Sequence, residues 1–332
     1  MKILCFGEPV LRLSPRPPLM LHQADELMMA FVGSEVVVAK SLALQGDDVA
    51  MASVLSSNIL GDRSIMEMRK FGVDVSRMRR VDARMAGYYI ERGGTMRPDR
   101  ILYDRDGSAM QSALREEFDW DSLLNGVWCF YFSGVVASIT PETGRIVEDA
   151  LIASKGRGIR TFCDLNYRRG MITPAAARNL WDRLLPYIDV VCGSLEDYSS
   201  IWEAESFDGS DRQRESAAVS LMDRYNLFCV AMNRHIVNPG AMLQVAGLMA
   251  NPETIHRSLS HEVAPTEISG CGDAFSSSIV HGLIHNWEPQ HILDYAVTHS
   301  AYKATVEGEL SYATELTIEQ AYARATGSTI IR

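Results

Sequence analysis

Alternation of short apolar runs with amphipathic helical stretches is the feature that most restricts this chain. Residues 2–7 read as a buried strand and 33–45 as a helix stopped by Gly46; 49–55 then reads as a strand and 61–71 as a helix before Gly72. Farther on, strands at 160–165, 189–193 and 228–232 interleave with helices near 141–154, 173–184 and 214–225. Consecutive strands joined through helices run parallel, so the expected fold is α/β, with a doubly wound, mostly parallel central sheet and helices on both faces. Ligands of such a sheet are expected beyond the carboxyl ends of its strands.

Two segments break the rhythm. Residues 11–32 and 84–103 carry Pro and Gly, look extended and lack a helical stripe, so each reads as a pair of strands or as irregular loop. With 332 residues, 47% of them hydrophobic, the chain has room for one large α/β domain and such an appendage. The division expected is a core of residues 1–10, 33–83 and 111–332, with 11–32 and 84–110 inserted.

Other classes are disfavoured. A net charge of −10 argues against nucleic acid or an anionic membrane surface as partner. The opening Met1-Lys-Ile-Leu-Cys-Phe-Gly7 has neither the basic region nor the apolar run of a signal peptide, and a cytoplasmic location is the expectation. Cys5, Cys129, Cys163, Cys192 and Cys229 lie in apolar runs without metal spacing and read as buried thiols. There is no Walker A pattern, and the first strand runs into Gly7-Glu8-Pro9 rather than a dinucleotide fingerprint. His281 and His285, four apart on a helix, make half of a zinc site with no partner cluster evident in the sequence.

The stretch Glu267-Ile-Ser-Gly-Cys-Gly-Asp273-Ala-Phe carries the chemistry. Two glycines turn a loop into an amphipathic helix, so that backbone N–H groups and the positive helix end face one spot, where an anion is held. Asp273 stands beside it, placed either to accept the proton of an attacking alcohol or simply to cap the helix. Cys271 fills the position between the glycines, and its alkylation would block the loop.

Gly270-x-Gly272-Asp273-Ala-Phe resembles the signature of the ribokinase-like (PfkB) carbohydrate kinases, with Glu267 where that family has aspartate. Nearly the whole chain shares the resemblance, and it is most similar to the bacterial 2-keto-3-deoxygluconate kinases. The matching stretches are Phe6-Gly-Glu-Pro-Val-Leu-Arg-Leu-Ser-Pro15, Leu102-Tyr-Asp-Arg-Asp-Gly-Ser-Ala109, Phe118-Asp-Trp120, Phe132-Ser-Gly134, Asp164-Leu-Asn-Tyr-Arg168 and Gly193-Ser-Leu-Glu-Asp197. The resemblance implies ATP and Mg²⁺, with Asp273 as base and the Gly270, Cys271 and Gly272 amides on the γ-phosphoryl group. It implies a sugar pocket of Glu8, Gly33, Ser34, Tyr88, Tyr103, Arg105, Asn166 and Arg168. The nucleotide side would comprise Ser194, Asp197, Arg234, Gly270 and Gly272, with Asp197 reaching the magnesium through water. It further implies a monovalent cation near Glu267, and a small inserted sheet that closes over the sugar and joins two copies into a homodimer.

Arg105 and Arg168 favour a sugar acid, because guanidinium groups bind a carboxylate bidentately. A neutral sugar such as fructose, with both arginines structural, stays open, as does a sugar-binding relative without catalysis. Three stretches depart from the family pattern. Val32-Gly33-Ser-Glu-Val-Val37 lacks one glycine and the asparagine, Ser194-Leu-Glu-Asp197 keeps one carboxylate but no amide, and Asn233-Arg234-His-Ile-Val lacks the serine after its arginine.

Overall fold

The structure, a computed structural model, describes residues 1–93, 96–202, 210–238 and 240–327. In chain order its strands are β1 (Lys2–Phe6), β2 (Val10–Ser14), β3 (Met28–Val32), β4 (Asp48–Ser56), β5 (Asp74–Val81), β6 (Gly87–Glu91) and β7 (Arg100–Asp104). They continue as β8 (Val127–Ser133), β9 (Arg160–Asp164), β10 (Val190–Ser194), β11 (Cys229–Val237), β12 (Leu243–Ala250), β13 (Ile255–Arg257) and β14 (His261–Val263). Ten of these form one sheet in the order β13-β12-β11-β10-β9-β8-β1-β4-β5, with β14 also on β12. Pairing is parallel from β11 through β5 and turns antiparallel at β12.

Because side chains alternate along a strand, β1 feeds two cores at once. Leu4 and Phe6 face the helices Pro141–Gly156, Pro174–Leu184 and Asp211–Tyr225, while Ile3 and Cys5 face Ser34–Leu44, Cys271–Ile284 and Pro289–Ala304. The sheet is thereby covered on both sides, as the alternating pattern predicts. Helix starts are fixed locally: Thr140 and Thr173 accept hydrogen bonds from first-turn N–H groups, and proline follows each where its missing N–H costs nothing.

The two irregular segments each form a hairpin, β2 with β3 and β6 with β7, and β2 pairs parallel with β6 to make a separate four-stranded sheet in the order β3-β2-β6-β7. The fold also contains elements that periodicity did not flag. β8 is a continuous apolar run, Val-Trp-Cys-Phe-Tyr-Phe-Ser, buried along most of its length beside β1, so it shows no alternation to read. All six cysteines are buried and free. No helix among the described residues is long and apolar enough to cross a membrane.

Candidate active site

The carboxyl ends of the central strands converge. Register sets Ser133 of β8 beside Asp164 of β9, Cys192 of β10 beside Asp164, and Ser194 of β10 beside Asn233 of β11. Facing these ends is the start of the buried helix Cys271–Ile284, whose first turn has no side-chain cap. Gly270, its N-cap, has φ +83°, and a Cβ there would run into the Glu309 carbonyl, so only glycine fits. At Gly272 a Cβ would meet nothing nearer than Asn233 Nδ2 at 3.7 Å, so the helix end faces open space. Uncapped N–H groups with room in front can receive an anion.

Asp273, 8% exposed, lies at this opening. Its Oδ1 accepts a 2.5 Å hydrogen bond from the Ser34 hydroxyl, which in turn accepts from Asn166 Nδ2 at 3.1 Å. Asn166 has a left-handed backbone (φ +38°), a conformation asparagine tolerates better than most residues. Burial pushes the Asp273 carboxyl up to about 8; the Ser34 hydrogen bond opposes the shift, and the negative charge of Asp164 adds to it. Asp164 is itself raised to about 6, mainly by burial and then by Asp197, and it accepts from Ser276 Oγ at 2.7 Å and the Asn166 N–H at 3.1 Å. Arg168 is the cation of this group, its charge favouring the ionised forms of Asp164, Asp197 and Asp273. Asp197 ties two strand ends together, taking the Tyr167 N–H on Oδ1 (2.8 Å) and the Ser194 N–H and hydroxyl on Oδ2 (2.9 and 2.7 Å).

A second group gathers at the end of β1. Glu8 is buried, accepts from Ser108 Oγ at 2.7 Å and lies 3.2 Å from Arg105. Gly33, with φ +131°, lets the start of helix Ser34–Leu44 press against the Glu8 carbonyl, which any Cβ would overlap. The Arg105 guanidinium sits 5.3 Å over the Tyr103 ring, and its buried Nε and Nη1 have no hydrogen-bond partner among the described residues. Glu35 connects the two groups. Its carboxyl, raised to about 7 by burial, accepts from the Ser133 hydroxyl (2.5 Å) and N–H (3.1 Å) and feels the charge of Arg105.

Tyr88 and Arg234 have partners beyond these two groups. Tyr88 packs among Val10, Val32, Val37, Ile90 and Leu310, its hydroxyl donating to Glu309. Arg234, next to Asn233, lies 3.6 Å from Asp211, with its buried Nε unpartnered among the described residues. Arg214, lowered to about 10 by burial and by Arg234, lies next to it. The Cys271 thiol is buried and pushed up to about 12, which leaves it a poor nucleophile, in keeping with a small residue that fills the place between the two glycines.

Around Glu267 the positive charge comes from side chains. Arg12 contacts one oxygen at 2.5 Å, Arg92 and the Gly308 N–H the other, both at 2.8 Å, and the fully buried Lys303 ammonium donates to the Glu267 and Val306 carbonyls, each at 3.1 Å.

Residue-by-residue reading missed Glu35, Asp164, Glu309 and Lys303. Asp164 opens the Asp-x-Asn-x-Arg stretch and Glu35 follows Ser34, so motif position was available for these two. Nothing local marks Glu309 or Lys303, whose side-chain partners Tyr88 and Glu267 lie far away in sequence. The helix behind Asp273 is held by three consecutive serines: Ser276 donates to Asp164, Ser277 bonds Ser41 at 3.2 Å, and Ser278 bonds His299 at 2.8 Å.

A family model described as pfkB family carbohydrate kinase matches residues 1–223. The chain is 28% identical over 319 residues to the 2-dehydro-3-deoxygalactonokinase of Haloferax volcanii, with 96% of each chain covered. To the 2-dehydro-3-deoxygluconokinase of Thermoproteus tenax it is 23% identical over 311 residues, covering 92% of this chain and 89% of the other. The crystal structure of 2-dehydro-3-deoxygluconokinase from Thermotoga maritima is similar with a TM-score of 0.94 at 29% identity, covering 97% of this chain and 98% of that one.

Proposed function

Because the chain belongs to the pfkB family of carbohydrate kinases, we propose that it transfers the γ-phosphoryl group of ATP to the primary hydroxyl of a sugar acid, 2-keto-3-deoxygluconate first among candidates, to give the 6-phosphate. The observation that carries this reading is Asp273, a buried carboxylate at an uncapped helix start behind Gly272. Relatives named for 2-dehydro-3-deoxy sugar acids support the substrate class.

Ser34 occupies Asp273 Oδ1, which leaves Oδ2 to accept the substrate hydroxyl and take its proton as the oxygen attacks phosphorus. The N–H groups at Gly270 and Gly272 hold the transferred group; the Cys271 N–H expected beside them is instead donated to the Ile268 carbonyl at 3.1 Å. Mg²⁺ bound mainly to the phosphates would neutralise their charge. Asp197 fits a water-mediated role toward that ion, since its Oδ1 accepts only one hydrogen bond and keeps a lone pair. Arg105, whose buried Nε has no partner among the described residues, and Arg168 meet the substrate carboxylate.

The pH dependence follows from the raised carboxyl. Asp273 works as a base only when ionised, and its group in the free protein titrates near 8, so kcat/KM should climb about tenfold per pH unit below that value and level off above it. A profile flat from pH 6 to 8.5, about two units across the expected limb, would remove Asp273 from the role of base.

The charge that a monovalent cation would bring beside Glu267 is supplied here by Arg12, Arg92 and Lys303. Turnover in potassium, sodium and tetramethylammonium buffers of equal ionic strength should agree to within about twofold. Strong activation by potassium alone would show that these side chains do not replace the ion.

One observation favours a second reading. The 3.2 Å pair between Arg105 and Glu8 is what a structural arginine would make, and a neutral sugar would then be the substrate. Turnover measured side by side on fructose and 2-keto-3-deoxygluconate separates the two.

A further inference from the structure

The helix that starts with the anion loop ends in a second polar cluster. His281 lies in its last turn and His285 follows at its C-cap, four residues on and therefore on the same face. Asp47, from the turn between helix Ser34–Leu44 and β4, reaches in between them. Its Oδ2 is 2.8 Å from His281 Nδ1 and its Oδ1 is 2.9 Å from His285 Nε2. One ligand atom from each of the three residues falls within 4.8 Å of the others.

The His281 ring is set between two carboxylates. His281 is 1% exposed, and its two ring nitrogens face two different carboxylates, Nδ1 toward Asp47 and Nε2 toward Glu315 Oε2 at 3.4 Å. A neutral imidazole carries one N–H, so one nitrogen would turn a lone pair on an acceptor. Consistent with that, Nε2 is buried without a hydrogen-bond partner among the described residues. A metal ion on Nδ1 would leave Nε2 as the ring's N–H position, on the side of Glu315.

We propose that Asp47, His281 and His285 bind a divalent transition-metal ion, with Zn²⁺ the best match to two imidazoles and one carboxylate. Glu315, in the first turn of helix Glu315–Ala325, stands 3.4 Å from His281 Nε2, where its carboxylate favours the tautomer that frees Nδ1 for the metal. His285, 44% exposed at its side chain, opens the fourth position to water. Mg²⁺ prefers an octahedron of oxygens and does not suit these donors. The site is also remote from phosphoryl transfer, because His281 and His285 lie about 12 and 18 Å along the helix axis from Asp273 at 1.5 Å per residue. Its role is to fasten the far end of that helix to the Asp47 turn.

The test uses the intact protein after chelator treatment, with ZnCl2, CoCl2 and MgCl2 as separate probes. Equilibrium dialysis should give one zinc per chain, and the melting temperature should rise with zinc but not with magnesium. Cobalt should develop visible d–d absorption. His285→Ala removes an exposed side chain that the fold does not need, and it should weaken zinc binding by roughly a hundredfold or more. Glu315→Gln should weaken it by roughly ten- to a hundredfold while leaving stoichiometry at one. Zinc held as tightly by His285→Ala, or no zinc held at all, would overturn the proposal, and neither readout depends on kinase activity.

Discussion

Turnover of an Asp273→Asn variant is expected to fall by about 10²- to 10⁴-fold, the usual contribution of a positioned general base, while its affinity for ATP stays near that of the parent. Asparagine keeps the shape and can still accept from Ser34, so the relay from Asn166 through Ser34 survives. What it loses is the capacity to take a proton. The fold should not suffer. A carboxyl raised to about 8 by burial favours the neutral form in the folded state, so its contribution to stability is full below the unfolded value and is lost as pH rises through 8. The amide has no such loss, and the variant should melt no lower than the parent at pH 9. Single-turnover measurements with saturating ATP and sugar acid report the chemical step directly. A rate within a few-fold of the parent would end the assignment of Asp273 as base.

Arg105→Ala should raise the KM for the sugar acid by roughly ten- to a hundredfold, from the 1.5 to 3 kcal/mol typical of a hydrogen bond to a charged group, and leave the KM for ATP nearly unchanged. In a chain of net charge −10 an anionic substrate meets repulsion at long range, so its binding must come from close contacts that water cannot screen. Arg105 offers such a contact, with its guanidinium mostly buried, its Nη1 beside Glu8 and its Nε without a partner among the described residues. Part of the effect will be indirect, since the substitution leaves buried Glu8 without its cation. Glu8→Gln in the same background separates the two: if the KM recovers, the arginine was serving Glu8 and not the substrate.

The main sheet was legible because its strands and helices alternate with clear periods and its helix starts carry threonine and proline at fixed places. The inserted sheet showed as a break in that rhythm, though its assembly from two hairpins joined through β2 and β6 is a long-range pairing that no local pattern encodes. The glycine loop and Asp273 were readable for the same local reason. The surroundings of Asp273 were not. Its raised carboxyl depends on burial and on Asp164, and is opposed by Ser34, both residues more than a hundred positions upstream, and the cations around Glu267 come from the inserted sheet and helix Pro289–Ala304. Tyr88 illustrates the limit most clearly. A tyrosine on a short strand has two faces, and only the tertiary packing decided that its hydroxyl meets Glu309.

Three adjacent hydroxyls on one helix point about 100° apart from one another, so Ser276, Ser277 and Ser278 address three separate neighbours: β9, helix Ser34–Leu44 and helix Pro289–Ala304. Together they act as a key with three teeth. A slip of one residue along the axis, or a rotation by one position, would pull all three from their slots at once, so the helix has a single permitted setting rather than a range of nearly equal ones. Asp273 rides three residues ahead of the first tooth, and its depth in the opening is therefore gauged against the sheet and both flanking helices together.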